Sequence, residues 1–162
     1  MTVMREKSVR VLVVDDEEVV REVLLEALNT FGYETASASN GEEALQAYKQ
    51  QPFDIVLSDL MMSPMDGMEL LNVITEIDPK AIFIMITGYP SIESAVESIK
   101  IGARDYISKP FNLDELKMKI ERALLERSLK ERLKNVRGVV WALLISIPAW
   151  LILGIILARA LR

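Results

Sequence analysis

The 162-residue chain has no cysteine and no histidine. Without thiolates or imidazoles it cannot build a disulfide framework, a zinc site of the usual nitrogen and sulfur type, a Ser/His triad or a Cys/His pair. Any metal it holds must be bound by oxygen. The routes that anchor a protein through a lipidated cysteine are closed as well. There is no Gly-Lys-Ser/Thr phosphate loop, so ATP is not expected to be a direct phosphoryl donor. Aromatic residues are few, 6% of the chain.

Charge is distributed unevenly. Residues 1–126 carry 12 Lys+Arg against 23 Asp+Glu, a net −11, whereas residues 127–162 carry 7 against 1, a net +6. Length and charge together describe one acidic domain with a basic, apolar tail. The acidic part repels phosphate backbones and has no basic stripe with interleaved aromatics, so direct nucleic-acid binding is not expected.

Within the acidic part, short apolar runs alternate with helical periodicity. Val9–Val14 ends at Asp15-Asp16 and leads into Val19, Val20, Val23, Leu24 and Leu28, which recur at spacings of three and four. Strands follow at Glu34–Ala38, Ile55–Ser58 ending at Asp59, Ala81–Thr87 and Asp105–Ser108. Helices are read from the Asn40 cap to Gln50, over Met68–Ile77, over Ile92–Ile101, and from Leu113. Five strand–helix units predict an α/β fold: a doubly wound, five-stranded parallel sheet of the flavodoxin-like kind, buried on both faces. In such a sheet the ligand site lies at the carboxyl ends of the strands.

The tail reads differently. Residues 139–158 form an uncharged run in which all but Ser146, Pro148 and Gly154 are hydrophobic, and as a helix it would be about 30 Å long, the hydrocarbon thickness of a bilayer. The expected organisation is a domain at 1–126, a basic juxtamembrane helix or linker at 127–138, a transmembrane helix at 139–158 and a short tail at 159–162. A buried core or oligomer helix is the alternative, and Pro148 leaves a kinked or re-entrant segment open. Arg127, Lys130, Arg132, Lys134 and Arg137 precede the run, against Arg159 and Arg162 after it, which predicts a single-pass inner-membrane protein with its N-terminal domain cytoplasmic. The first apolar stretch is too short for a signal peptide, so none is expected. Gly138, Ala142 and Ser146, then Gly154 and Ala158, are small residues four apart, a row that permits helix dimerisation. The apolar stripe Leu125, Leu129, Leu133, Val136 and Val140 permits a short coiled coil.

A parallel sheet would bring Asp15, Asp16 and Asp59 to one edge. Three carboxylates at close quarters require a cation or a raised pKa, and with oxygen donors alone the cation expected is Mg²⁺. Lys109, after the fifth strand, would add a compensating charge and Thr87, after the fourth, a hydroxyl. The set suits phosphoryl transfer to a carboxylate: cations neutralise the phosphoryl oxygens, the hydroxyl donates, and an aspartate is the nucleophile.

The text VLVVDDE at 11–17, SDLMMSPMDGMELL at 58–71 and ITGYPSIESAVESIKIGARDYISKPF at 86–111 resembles the response-regulator receiver domains of bacterial two-component signalling, over about residues 8–126. That resemblance implies that Asp59 is the phospho-acceptor and that Asp16, Asp59 and the backbone carbonyl of Met61 bind Mg²⁺, with Asp15 helping through water. It also implies that Thr87 and Lys109 contact the phosphoryl group, that Tyr106 is the rotating aromatic of the switch, and that Lys109-Pro110 is a cis peptide. Such a domain is a phospho-acceptor, with at most weak autophosphatase activity, rather than an enzyme. The bulk of Met61 and Tyr89 implies slow self-hydrolysis. One departure is Ser63 before Pro64, where receivers usually have Pro followed by a small residue. Having no histidine, the chain needs a histidine kinase or phosphotransfer domain as donor.

Only 36 residues follow Glu126, so the expected output is dimerisation or partner docking through the face made by the fourth and fifth helices and the fifth strand. A phosphate sink and a membrane adaptor using the fold as a scaffold are the alternatives. A phosphatase of the haloacid dehalogenase type would require an acid two positions after the nucleophile, where Met61 stands.

Overall fold

The computed structural model describes residues 8–160, the side chains of 134, 135, 137–141, 143, 145–158 and 160 excepted. Five strands, β1 (Arg10–Val14), β2 (Glu34–Ala38), β3 (Ile55–Asp59), β4 (Ile82–Thr87) and β5 (Asp105–Ser108), alternate with α1 (Glu18–Thr30), α2 (Gly41–Gln50), α3 (Gly67–Ile77), α4 (Ile92–Ile101) and α5 (Leu113–Ala160). The strands form one parallel sheet in the order β2-β1-β3-β4-β5. The winding reverses between β1 and β3, which opens a crevice at their carboxyl ends.

Period-two alternation divides the buried strand residues between two faces. Leu12, Val14, Val56, Phe83 and Met85 pack with Ala44 and Tyr48 of α2 and Leu70, Leu71 and Ile74 of α3. The intervening Val11, Val13, Ile55, Leu57, Ile84 and Ile86 are equally buried, as are Leu24 and Leu28 of α1 and Leu116 and Ile120 of α5. The Lys117 ammonium lies 5.0 Å from the Phe31 ring centroid, which sets the start of α5 beside the end of α1. Helix starts are fixed by side chains: Asn40 accepts from the Glu43 amide, Ser91 from the Ser94 amide, and Asp66 forms a capping box with Glu69.

The chain divides into two compact units, Met1–Ala123 and Leu124–Arg162, a boundary three residues before the one expected at 126. In the first unit, Leu116, Ile120 and Ala123 are buried as their spacing requires. Leu113, the first residue of the helix, is 37% exposed. In the second unit the backbone is helical without interruption to Ala160, so Pro148 does not end the helix. Leu125, Leu129, Leu133 and Val136 are exposed along one stripe. Among the described residues no helix is long and apolar enough to cross a membrane. The run proposed to span, 139–158, lies outside the described side chains apart from Ala142 and Leu144, as do the remaining small residues of the row.

Candidate functional site

Strand register assembles the site. Val14 of β1 pairs with Ser58 of β3, so Asp15 and Asp59 leave the sheet side by side. Asp59 pairs with Ile86, placing Thr87 next along, and Thr87 pairs with Ser108, placing Lys109 after it. Four strands thus deliver one functional side chain each to the same edge.

The close approach at this edge depends on a glycine. Gly67, the first residue of α3, donates its amide to the Leu60 carbonyl at 2.9 Å. A Cβ at this position would stand 2.1 Å from the Asp59 carbonyl oxygen. The N-terminus of α3 therefore lies directly against the end of β3.

Carboxylate oxygens of Asp15, Asp16 and Asp59 lie within 4.8 Å of one another. Asp15 and Asp59 are buried and Asp16 is exposed. The Lys109 ammonium bridges the buried pair, donating to Asp15 Oδ2 at 2.7 Å and Asp59 Oδ2 at 2.9 Å, with Glu17 Oε1 at 3.8 Å. The other oxygens take backbone donors, Asp15 Oδ1 from Glu17 N at 2.9 Å and Asp59 Oδ1 from Leu60 N at 2.6 Å. Burial pushes the Asp15 carboxyl above its ordinary range, and the Lys109 hydrogen bond offsets this only in part. For Lys109, burial works against the charge, but its hydrogen bonds to the two aspartates prevail and raise its pKa.

This donor set fits a hard divalent cation. Three carboxylates converge on a partly open edge and one is solvent-facing, which suits an ion that keeps several waters. Thr87 is fully buried and its Oγ1 accepts from the Tyr89 amide at 3.2 Å, an arrangement in which its hydroxyl hydrogen can be donated toward the carboxylates. Lys109-Pro110 is cis, and so is Ser63-Pro64 in the loop after Asp59, where the sequence departs from the receiver pattern.

Tyr106 stands apart from the carboxylates. Its ring is half-buried against the core and its hydroxyl lies 2.8 Å from Ser94 Oγ of α4. Ser94 and Glu17 are site neighbours that sequence reasoning missed. Ser94 carries no local signal, because its partner is twelve residues away and meets it only through the β4–α4–β5 crossover. Glu17 could have been suspected from its place in the acidic run at the end of β1.

Comparison with known proteins identifies one family and one fold. A family model described as the response regulator receiver domain matches residues 11–121. The regulatory protein AtoC of Escherichia coli is 39% identical over 127 residues, covering 78% of this chain and 28% of AtoC. The crystal structure of a CheY-like receiver domain protein from Methanospirillum hungatei superposes with a TM-score of 0.74 at 34% identity, covering 76% of this chain and 99% of that one. The beryllofluoride-activated NtrC4 receiver domain dimer gives a TM-score of 0.70 at 36% identity, covering 73% and 98%. The chain thus spans under a third of the AtoC length it matches.

Proposed function

We propose, from the premise that this chain belongs to the response regulator receiver domain family, that Asp59 is the aspartate on which it is phosphorylated and that a histidine kinase or phosphotransfer domain is the donor. The observation that carries this reading is the Lys109 bridge between buried Asp15 and Asp59: a cation is held where phosphoryl charge would develop. Asp15, Asp16, Asp59 and the Met61 backbone carbonyl would hold Mg²⁺, which when bound supplies charge neutralisation for the phosphoryl oxygens. An Asp59 carboxylate oxygen forms the new O–P bond as the P–N bond to the donor imidazole breaks. The electron pair leaves with the imidazole nitrogen, which takes up a proton. Lys109 moves its ammonium from the carboxylates to the phosphoryl oxygens, and Thr87 turns its hydroxyl toward them.

In this reading Thr87 and Tyr106 form the switch, and the face made by α4, β5 and the start of α5 changes for dimerisation or partner docking. A beryllofluoride-activated receiver domain dimer is found among the similar structures, which supports the dimer. The uncharged run 139–158, the basic excess before it and the absence of charge within it support tethering to the inner membrane, with the receiver on the cytoplasmic side. The names of relatives such as AtoC concern proteins far longer than the match. For residues 1–126 the net −11 favours a protein partner over nucleic acid.

The test is beryllofluoride binding to the detergent-solubilised full chain with Mg²⁺. Wild type is expected to bind and Asp59→Asn to lose binding. Equal binding by both would refute the assignment. A change in association on binding supports a switch with its own output, and binding without one favours a phosphate sink.

A further inference from the structure

The residue on which the switch is proposed to turn is restrained from two sides. The Tyr106 backbone is fixed, because its amide donates to Asp105 Oδ1 at 2.8 Å and the same oxygen receives Lys119 Nζ of α5 at 2.7 Å. The ring is held separately, through its hydroxyl, by Ser94 of α4 at 2.8 Å. Ser94 is itself embedded in the α4 cap. Its hydroxyl reaches the Ser91 carbonyl at 3.2 Å and accepts from Ser91 Oγ at 3.0 Å, while its amide donates to Ser91 Oγ. With its one hydrogen directed at the Ser91 carbonyl, Ser94 Oγ keeps a lone pair for the Tyr106 hydroxyl, which then donates.

The other end of this assembly is Thr87, which strand register places one residue beyond the partner of Asp59. Thr87 Oγ1 holds the Tyr89 amide, and Tyr89 is two residues from the Ser91 cap. Movement of the Thr87 side chain toward Asp59 gives up the Tyr89 contact and loosens the short loop that sets Ser91 and Ser94. Lys109 is committed to both aspartates, and the Ser94–Tyr106 bond is made alongside that arrangement.

We infer that Ser94 is a positioning residue: its hydroxyl is a catch that holds the Tyr106 ring against α4 in the resting state and must be released for the switch to turn. The inference rests on the reading of Asp59 as acceptor and Tyr106 as switch. A contact made in one state only shifts the equilibrium by its own weight, and one net neutral hydrogen bond is worth about a fivefold change.

The test is beryllofluoride affinity of the full chain in detergent with Mg²⁺. Ser94→Ala is expected to bind about fivefold tighter than wild type, and Ser94→Thr, which keeps the hydroxyl, to bind like wild type. In a Tyr106→Phe background, Ser94→Ala should add nothing. Fluorotyrosine ¹⁹F spectra, with Tyr106 assigned by Tyr106→Phe, should show the Ser94→Ala resonance displaced toward its beryllofluoride-bound position before any ligand is added. The catch is refuted if Ser94→Ala leaves affinity and resonance unchanged while Asp59→Asn abolishes binding, or if its effect persists without the Tyr106 hydroxyl. Failure of wild type itself to bind would instead overturn the acceptor reading, and the catch with it.

Discussion

Gly67→Ala separates helix propensity from the demands of the site. At an exposed helix position, replacing Gly by Ala stabilises by up to about 1 kcal/mol. Here the added Cβ would lie 2.1 Å from the Asp59 carbonyl oxygen and 3.0 Å from Asp59 C and Leu60 Cα, all of them backbone atoms. No rotamer change relieves such a contact, so α3 must withdraw from β3 by about 1 Å to restore van der Waals distance. That movement strains the Gly67–Leu60 hydrogen bond, 2.9 Å in the native chain, and opens packing around buried Leu70 and Leu71. Overpacking of this kind costs about 1–3 kcal/mol, and lengthening a buried hydrogen bond adds to it. Against the propensity gain, a net loss of about 2 kcal/mol is expected, roughly 6–10 °C in Tm for a body of this size. Because the clash is with Asp59 itself, Mg²⁺-dependent beryllofluoride binding should weaken as well. Urea unfolding of the chain in detergent, followed by far-UV circular dichroism, measures the first effect and a binding titration the second. A variant as stable as wild type, with unchanged binding, would refute the close approach on which the site geometry depends.

Four further outcomes are expected. Lys109→Met leaves two buried carboxylates without their cation and should cost about 3 kcal/mol or more in EDTA; thermal scans should show Mg²⁺ restoring a larger part of Tm than it adds to wild type. Burial holds the Asp15 pKa above 3.8, so its ionisation opposes folding, and metal-free stability should fall as pH rises through its folded pKa; Asp15→Asn should flatten that slope in denaturation at graded pH. Lys109 is raised above 10.5, so the stability from its ion pairs is complete below that pH and lost as pH rises through the folded value, an alkaline transition that Lys109→Met should lack. The full chain should stay with liposomes under alkaline carbonate extraction while a chain ending at residue 126 is released; extraction of both would refute tethering.

The three central strands β1, β3 and β4 were legible because each is a short apolar run with a polar residue at or just after its end, and the buried part of a parallel sheet requires that pattern. The edge strands β2 and β5 have fewer apolar residues and were read from their place in the alternation with helices. Asp15, Asp59, Thr87 and Lys109 were legible for the same reason: they stand at strand ends, where topology alone brings them together. What escaped the sequence depends on three-dimensional approach rather than on local pattern. Ser94 is one serine among several in a helix, and only the crossover brings its hydroxyl to Tyr106. Gly67 follows a capping aspartate, where a glycine is unremarkable until the Asp59 carbonyl is placed against it. The stripe of Leu125, Leu129, Leu133 and Val136 was legible as separate from the buried Leu116 and Ile120, because the apolar spacing shifts to another face of the same helix.

Charge balance explains why Lys109 is both a structural and a switching group under the proposed mechanism. The resting edge holds Asp15, Asp16 and Asp59 against one ammonium, and the two buried carboxylates share it. A divalent cation there would cancel the remaining two negative charges. Phosphorylation of Asp59 would then replace one carboxylate charge by about two on the phosphoryl group, leaving about one negative charge in excess that must share the Lys109 ammonium already bonded to both buried aspartates. Its hydrogen bonds to Asp15 and Asp59 are therefore in competition with the phosphoryl oxygens. An ammonium that held the aspartates more tightly would stabilise the fold and hinder the switch. The exposed placement of Asp16 eases that conflict, because a carboxylate open to water can take its share of a cation without adding to the buried charge that Lys109 must balance.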